Sequence, residues 1–222
     1  MESVWTIEGV VVSEPMTLIT NVLLFVCGLY CGIRVIRGDN GDLAFVRHYG
    51  MFLVYTGISA LFGGIFSHGF KTYFPPSYSI PGWILALGGA YHAACGGILH
   101  AHAQAISIVS TSRRFMIASR INLGILILTG MYLLFRPHFL IVTLYSAFCI
   151  SVTAAISELL IYRKTKAAGS RFYLMAVGLG IVTLLIFVFK IGWGPGFTAN
   201  DAAHIVMIIS FFVFMKAFKA MR

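Results

Sequence analysis

The sequence predicts an all-α membrane protein, a single bundle of seven transmembrane helices. Its 222 residues are 59% hydrophobic and only 10% charged, whereas soluble domains carry about 25% charged residues. The mean hydropathy is +0.91. Seven apolar stretches close to the roughly 20 residues that a membrane-spanning helix needs follow one another at 15–35, 49–70, 83–109, 115–135, 139–162, 172–191 and 201–221. We therefore expect one transmembrane domain covering residues 1–222.

Turn and capping residues justify the limits of these spans. Ser13 or Glu14 can cap the first span, and Pro15 suits a first helical turn. An Asn-Gly turn at 40–41 lies in the link to the second span, and a proline- and aromatic-rich link precedes the third. The third span is rich in glycine and alanine, which let helices approach closely, so we expect it near the centre of the bundle.

Basic residues predict the orientation of the bundle. Alternate links and the C-terminal end hold most of them: Arg34, Arg37, Arg47, Arg113, Arg114, Arg163, Lys164, Lys166, Arg171, Lys216, Lys219 and Arg222. The other side has Lys71, Arg136 and Lys190, together with Glu2, Glu8, Glu14 and Asp201. The positive-inside rule then places the N-terminus outside and the C-terminus in the cytoplasm of a multi-pass protein of the cell membrane. The net charge of +9 is thus a topology signal rather than a nucleic-acid-binding surface.

The acidic start of the chain predicts a short external segment over residues 1–14. It has no basic region before its apolar residues, so it does not read as a cleavable signal peptide. Two charges inside the spans, Arg120 and Glu158, lie at similar predicted depths near the cytoplasmic side, and we expect them to form an ion pair.

A polar segment opens the seventh span. In the sequence TANDAAHIVM, residues 198–207, Asn200, Asp201 and His204 fall on roughly one helical face. Polar groups at a membrane edge must pair, coordinate or line a wet cavity. Either Asn200 or Asp201 caps the helix while His204 makes an interhelical hydrogen bond, or the group has a metal-binding or catalytic role.

The predicted topology gathers more polar residues at the same outer end. Glu14 opens the first span and His68 lies near the end of the second. His92 lies about ten residues into the third span, which places it on the order of 15 Å deeper. The outer third of the bundle therefore collects histidines and acids from four helices.

These residues resemble a known superfamily. Glu14 and Asn21 in SEPMTLITN look like the entry to the first helix of the CREST superfamily, which includes alkaline ceramidases, progestin and adipoQ receptors and lipid-remodelling hydrolases. His68 and His204 match two of the three histidines that hold zinc in that family. Gly64 stands where the family has a serine, and Asn200 stands where it has the third histidine. No aspartate occurs between Lys71 and Thr198, where the family has one near the start of the third helix.

The resemblance implies a zinc-dependent hydrolase acting on a lipid amide or ester among the membrane lipids. His68 and His204 would supply two ligands and Asp201 or His92 the third, because catalytic zinc commonly takes three protein ligands and a water. Glu14 would act as general base or orient a ligand histidine. The departures from the family leave two other classes open, a non-enzymatic receptor or scaffold with a degenerate site and a small transporter.

Overall fold

The computed structural model describes residues 4–194 and 196–221 and confirms the all-α bundle with seven helices long and apolar enough to cross a membrane. The helices are α1 Pro15–Ile36, α2 Ala44–Gly69, α3 Ile80–Ala103, α4 Ser112–Phe135, α5 Phe139–Thr165, α6 Ala168–Val188 and α7 Ala199–Ala220. Two of them contain a π-helical segment, Gly63–Gly69 in α2 and Phe148–Ala154 in α5. Glu2 and Arg222, which the sequence assigns to opposite sides, lie outside the described residues.

Several helix limits differ from the sequence prediction because hydropathy follows apolar composition and not the backbone hydrogen bonds that define the ends of a helix. The second helix begins at Ala44 rather than at 49, and the sixth covers Ala168–Val188 rather than 172–191. The third ends at Ala103 rather than at 109. The chain turns there because Ala105 takes a left-handed backbone conformation, and the Nδ1 atom of His102 hydrogen-bonds the Val109 carbonyl at 2.7 Å.

The N-terminal segment contains a β-hairpin that the sequence reading did not predict. Strands β1, Trp5–Ile7, and β2, Val10–Val12, pair in antiparallel register. Glu8 and Gly9 both have positive φ, which suits the tight turn between paired strands. The hairpin contacts the link that follows α2, since the Val11 amide donates to the Tyr73 hydroxyl at 2.8 Å.

The centre of the bundle is α3, as expected from its small residues. In α3, 56% of the apolar stretch is buried inside the bundle, whereas in α4 and in α6 the buried share is 11%. Helices α4 and α6 therefore lie at the periphery. Glycines on α1 and α2 bring their backbones together, because a Cβ added at Gly28 would lie 2.7 Å from the Gly57 Cα. Tyr49 of α2 stacks on Phe218 of α7 with ring centroids 4.4 Å apart. Together with the close approach of α1 to α2, this contact joins α1, α2 and α7 in the main core.

The bundle has two ends that carry different chemistry. The start of α1, the end of α2 and the start of α7 meet at one end, which we call the outer end. The opposite end holds the end of α1, the start of α2 and the end of α7, and we call it the basic end. The assignment of the outer end to the external side of the membrane stays a prediction.

Candidate functional site at the outer end

Glu14 joins the first two helices at the outer end. It immediately precedes α1 and is only 9% exposed. One carboxylate oxygen accepts a hydrogen bond from Nδ1 of His68 at 2.8 Å, and the other accepts one from the Lys71 ammonium. The hydrogen bond from His68, supported by Lys71 and opposed by burial, lowers the pKa of Glu14 to about 2. Glu14 is therefore a carboxylate at neutral pH.

Asp201 closes the first turn of α7. One carboxylate oxygen accepts hydrogen bonds from the backbone N–H of Thr198 at 2.6 Å and from its hydroxyl at 2.9 Å, completing a capping box. The other accepts from the Thr17 hydroxyl at 2.8 Å. The side chain is fully buried. The cap residue is Thr198, rather than Asn200 or Asp201 as expected, and Asp201 acts from the third helical position.

His204 lies one turn further along α7 and contacts the same face of α1. Its Nδ1 atom is 2.9 Å from the Thr20 hydroxyl, which is the interhelical hydrogen bond expected as one of the two alternatives. His204 also lies within electrostatic range of His68 and Asp201. Helix α1 thus presents Glu14, Thr17 and Thr20 to three side chains of α2 and α7.

The two histidines share one feature of metal-site chemistry. The Nδ1 atom of His68 faces Glu14, and the Nδ1 atom of His204 faces Thr20. Metal-binding histidines usually use one ring nitrogen for a neighbouring oxygen and the other for the metal. Nε2 is therefore the nitrogen of each ring that remains for a ligand.

Gly64 has a packing role at the position where the resembled family has serine. A Cβ added there would lie 2.6 Å from the Asn21 Cβ, a distance that real Cβ atoms essentially never show. Asn21 in turn donates from its amide to the Thr17 carbonyl at 2.8 Å. Glycine at this position therefore lets α2 approach α1, and Asn21 stabilises the α1 backbone.

His92 does not join His68 and His204. Its Nδ1 atom lies 2.9 Å from Nδ1 of His48 on α2, and its ring contacts those of Tyr55 and Tyr91. Among the described residues, no group of three or more His, Cys, Asp or Glu side chains is arranged to hold a metal ion.

The expected ion pair between Arg120 and Glu158 is wrong. Glu158 is 0% exposed and Arg120 lies on the exposed surface of α4. One Glu158 oxygen accepts from the Tyr49 hydroxyl at 2.6 Å and lies 2.8 Å from Nδ1 of His100, and the other accepts from the Ser170 hydroxyl at 2.6 Å. Similar depth along the membrane normal does not make two side chains face each other.

This buried network was not predicted from the sequence, because Glu158 was paired there with Arg120 and not with His100. The signal available was the presence of a carboxylate and a histidine in apolar spans near the same end, since buried charges require partners. The network joins α2, α3, α5 and α6 near the basic end, whereas the Glu14 and Asp201 contacts join α1, α2 and α7 near the outer end.

Comparison with known proteins identifies a family without assigning an activity. Residues 16–222 match the family model DUF6962, described as a family of unknown function, and the chain therefore belongs to that family. No curated protein and no solved structure matches the chain.

Proposed function

We propose that this member of the DUF6962 family is a zinc-dependent hydrolase of the membrane, acting at the outer end of the bundle on the amide or ester bond of a lipid. The proposal starts from the finding that the chain is an integral membrane protein with seven candidate spans. The proposal is supported by the resemblance of Glu14, Asn21, His68 and His204 to the CREST pattern and by the contacts of these side chains.

One observation carries the proposal. Helix α1 binds Nδ1 of both His68 and His204 through oxygen atoms, from Glu14 and Thr20 respectively. This fixes the rings and leaves Nε2 of each for a metal, as in carboxylate–histidine–zinc arrangements. Two imidazoles are one fewer than the three protein ligands that catalytic zinc commonly takes, so in this proposal waters or a substrate oxygen would complete the set. Zinc held there would lower the pKa of a bound water to about 7 and would polarise a carbonyl group.

The other site residues receive distinct roles in this proposal. Glu14 orients His68 and stays charged at neutral pH, but both of its oxygens are occupied by His68 and Lys71 and its pKa of about 2 makes it a weak base, so its role in this proposal is to position the ring. Asp201 has both oxygens occupied by Thr198 and Thr17, so it does not fit as a ligand and instead positions the α7 turn that carries His204. His92 is paired with His48 and is not part of this site.

A non-enzymatic receptor or scaffold is the second candidate. It is favoured because Asp201 already forms the capping box of α7, and because Gly64 packs against Asn21 at the position where a hydrolase of the resembled family has its serine. In that case Glu14, His68 and Asp201 serve only to lock α1 onto α2 and α7.

Metal analysis of the purified protein separates the two candidates. Wild-type protein prepared without chelator is expected to bind one zinc ion per chain and to gain thermal stability on zinc addition. His68→Ala or His204→Ala should abolish this binding. His138→Ala, in the exposed link between α4 and α5, is the matched control and should leave it unchanged.

Hydrolysis must follow the metal if the enzyme proposal is right. Detergent-solubilised protein incubated with a fluorescent ceramide and a fluorescent phospholipid should release fatty acid, and His68→Ala should abolish that release. Zinc binding without hydrolysis of either substrate would leave a metal-binding receptor, and protein that neither binds zinc nor is stabilised by it would support the scaffold.

A further inference from the structure

A groove of about 330 Å³ lies between α3, α4 and α5 in the half of the bundle nearer the basic end. Its walls are almost entirely apolar and include Ala118 and Ile125 on α4 and Phe148 and Val152 on α5. Ile108, an exposed residue in the link between α3 and α4, also lines it. We infer that this groove binds one acyl chain of an anionic phospholipid from the leaflet at the basic end.

Part of the groove wall is formed by an irregular helical segment of α5. Its α5 wall includes residues of the π-helical segment Phe148–Ala154, and such segments frequently mark functional sites. Next to it α3 and α5 pack tightly, because a Cβ added at Gly97 would lie 2.7 Å from the Ala154 Cα. Helix α4 packs mainly on α3 and makes few contacts with α5, which leaves the groove open between α4 and α5.

The size of the groove selects the occupant. A volume near 330 Å³ is at the lower end of the range for small-molecule pockets, roughly 300 to 1,000 Å³, and is suited to a narrow apolar chain. Its lining offers little for a polar ligand, since Asn122 is 4% exposed and its amide faces the sulfur atoms of Cys95 and Cys149.

Charge beside the groove selects the headgroup. The segments 104–120 and 163–166 contain six Lys and Arg residues and no Asp or Glu. Two of these cations contact the link between α3 and α4, with Arg114 donating to the Ser107 carbonyl at 2.8 Å and Lys164 donating to the carbonyls of Gln104 at 2.7 Å and Ala105 at 3.3 Å. Both side chains are exposed, and the Arg114 guanidinium and the Lys164 ammonium each have more N–H groups than these contacts use.

The contribution of these cations to binding can be estimated. Each basic residue near an anionic membrane surface contributes roughly a fivefold increase in affinity, equivalent to about 1 kcal/mol. Neutralising both Arg114 and Lys164 should therefore weaken binding of an anionic lipid by about 25-fold, while binding of a zwitterionic lipid should change little.

The test uses purified full-length protein in detergent, titrated with dioleoylphosphatidylglycerol or with dioleoylphosphatidylcholine, with melting temperature and native mass spectrometry as readouts. Wild-type protein should be stabilised by the anionic lipid and retain it at one per chain. Arg114→Gln with Lys164→Gln should lose the preference for phosphatidylglycerol, whereas Ala118→Phe should lose retention of the lipid by filling the groove. Arg171→Gln, exposed at the start of α6 away from the groove, is the control and should behave as wild type.

Several outcomes would overturn the inference. The first is equal stabilisation of wild-type protein by phosphatidylglycerol and phosphatidylcholine. The second is stabilisation by cholesterol in place of phosphatidylglycerol. The third is a loss of the preference for phosphatidylglycerol in Arg171→Gln as large as in the Arg114 and Lys164 variant. A dimer that Ala118→Phe converts to a monomer would show that the groove receives a second copy of the chain. His68→Ala should leave lipid retention unchanged, so this result is independent of the zinc site.

Discussion

Nδ1 of His100 and a carboxylate oxygen of Glu158 lie 2.8 Å apart, with the two side chains only 2% and 0% exposed. Glu158 is also bound by Tyr49 and Ser170, so its two oxygens are satisfied by three other helices. A buried acid of this kind is strongly destabilising when one of its partners is removed, because the remaining polar group stays buried without compensation.

The first prediction is a coupling between these two residues. His100→Ala and Glu158→Ala should each lower the free energy of unfolding, by about 3 to 5 kcal/mol if the partner left behind is charged. The double variant should be less unstable than the sum, with a coupling of about 1 to 3 kcal/mol in thermal or denaturant unfolding.

Arg120→Ala is the control for this cycle. Arg120 is exposed on α4 and does not touch Glu158, so its combination with Glu158→Ala should be additive. Coupling of Arg120 to Glu158, or additivity of His100 with Glu158, would contradict the structure.

The contrast between Arg120 and His100 shows how far the sequence could lead. Hydropathy correctly located seven spans, because length and apolar composition are local properties of the chain. Topology then correctly brought His68 to Glu14 and His204 to the same end. The rotation of each helix about its axis was not determined, since almost every face of these helices is apolar, and rotation decides which of two charges at one depth faces the core.

The same limit explains why the sequence could not predict which contacts Asp201 and His92 make. Spacing correctly placed Asp201 and His204 on one face of α7, but it could not reveal that Thr198 and Thr17 occupy both oxygens of Asp201. It also could not show that His92 faces His48. These partners come from other helices and from the geometry of a single turn.

The second prediction concerns orientation. A protease site fused after Arg222 should be cut only when cells are opened, and one placed before Glu2 should be cut in intact cells, because the basic links favour the cytoplasm. If the C-terminal site were cut in intact cells and the N-terminal site only in opened cells, the outer end would face the cytoplasm. If both sites were cut from the same side, the number of spans could not be seven.

The third prediction is a pH dependence from Glu14. Its pKa falls from 4.5 to about 2 in the folded protein, so the charged carboxylate stabilises the fold above the unfolded pKa, and this stabilisation is lost as the pH falls toward 2. Glu14→Gln should lower the free energy of unfolding by about 1 to 2 kcal/mol near pH 7, because solvent around Lys71 screens part of the interaction. The difference in melting temperature between wild type and Glu14→Gln should shrink steadily from pH 5 downward.

A difference between the two proteins that does not vary with pH would mean that the charge of Glu14 is not the source of its stabilisation. Glu8→Gln, in the exposed hairpin turn, is the matched control and should follow wild type across this range.

The last prediction concerns Gly64, where restoring the serine of the resembled family should damage the fold rather than supply a catalytic group. The Cβ of serine would lie 2.6 Å from the Asn21 Cβ, and because each Cβ is bonded directly to a helical backbone, the two atoms cannot move apart without separating α1 from α2. Gly64→Ala and Gly64→Ser should each cost about 1 to 3 kcal/mol, the usual range for overpacking. Gly124→Ala, where no atom lies within 4 Å, should be neutral or stabilising because alanine is the better helix former. Since the conflict is between two Cβ atoms, Asn21→Gly should reduce the cost of Gly64→Ala, whereas Asn21→Ala should not. Equal melting temperatures for Gly64→Ala and Gly124→Ala would show that α1 and α2 are not in close contact at this position.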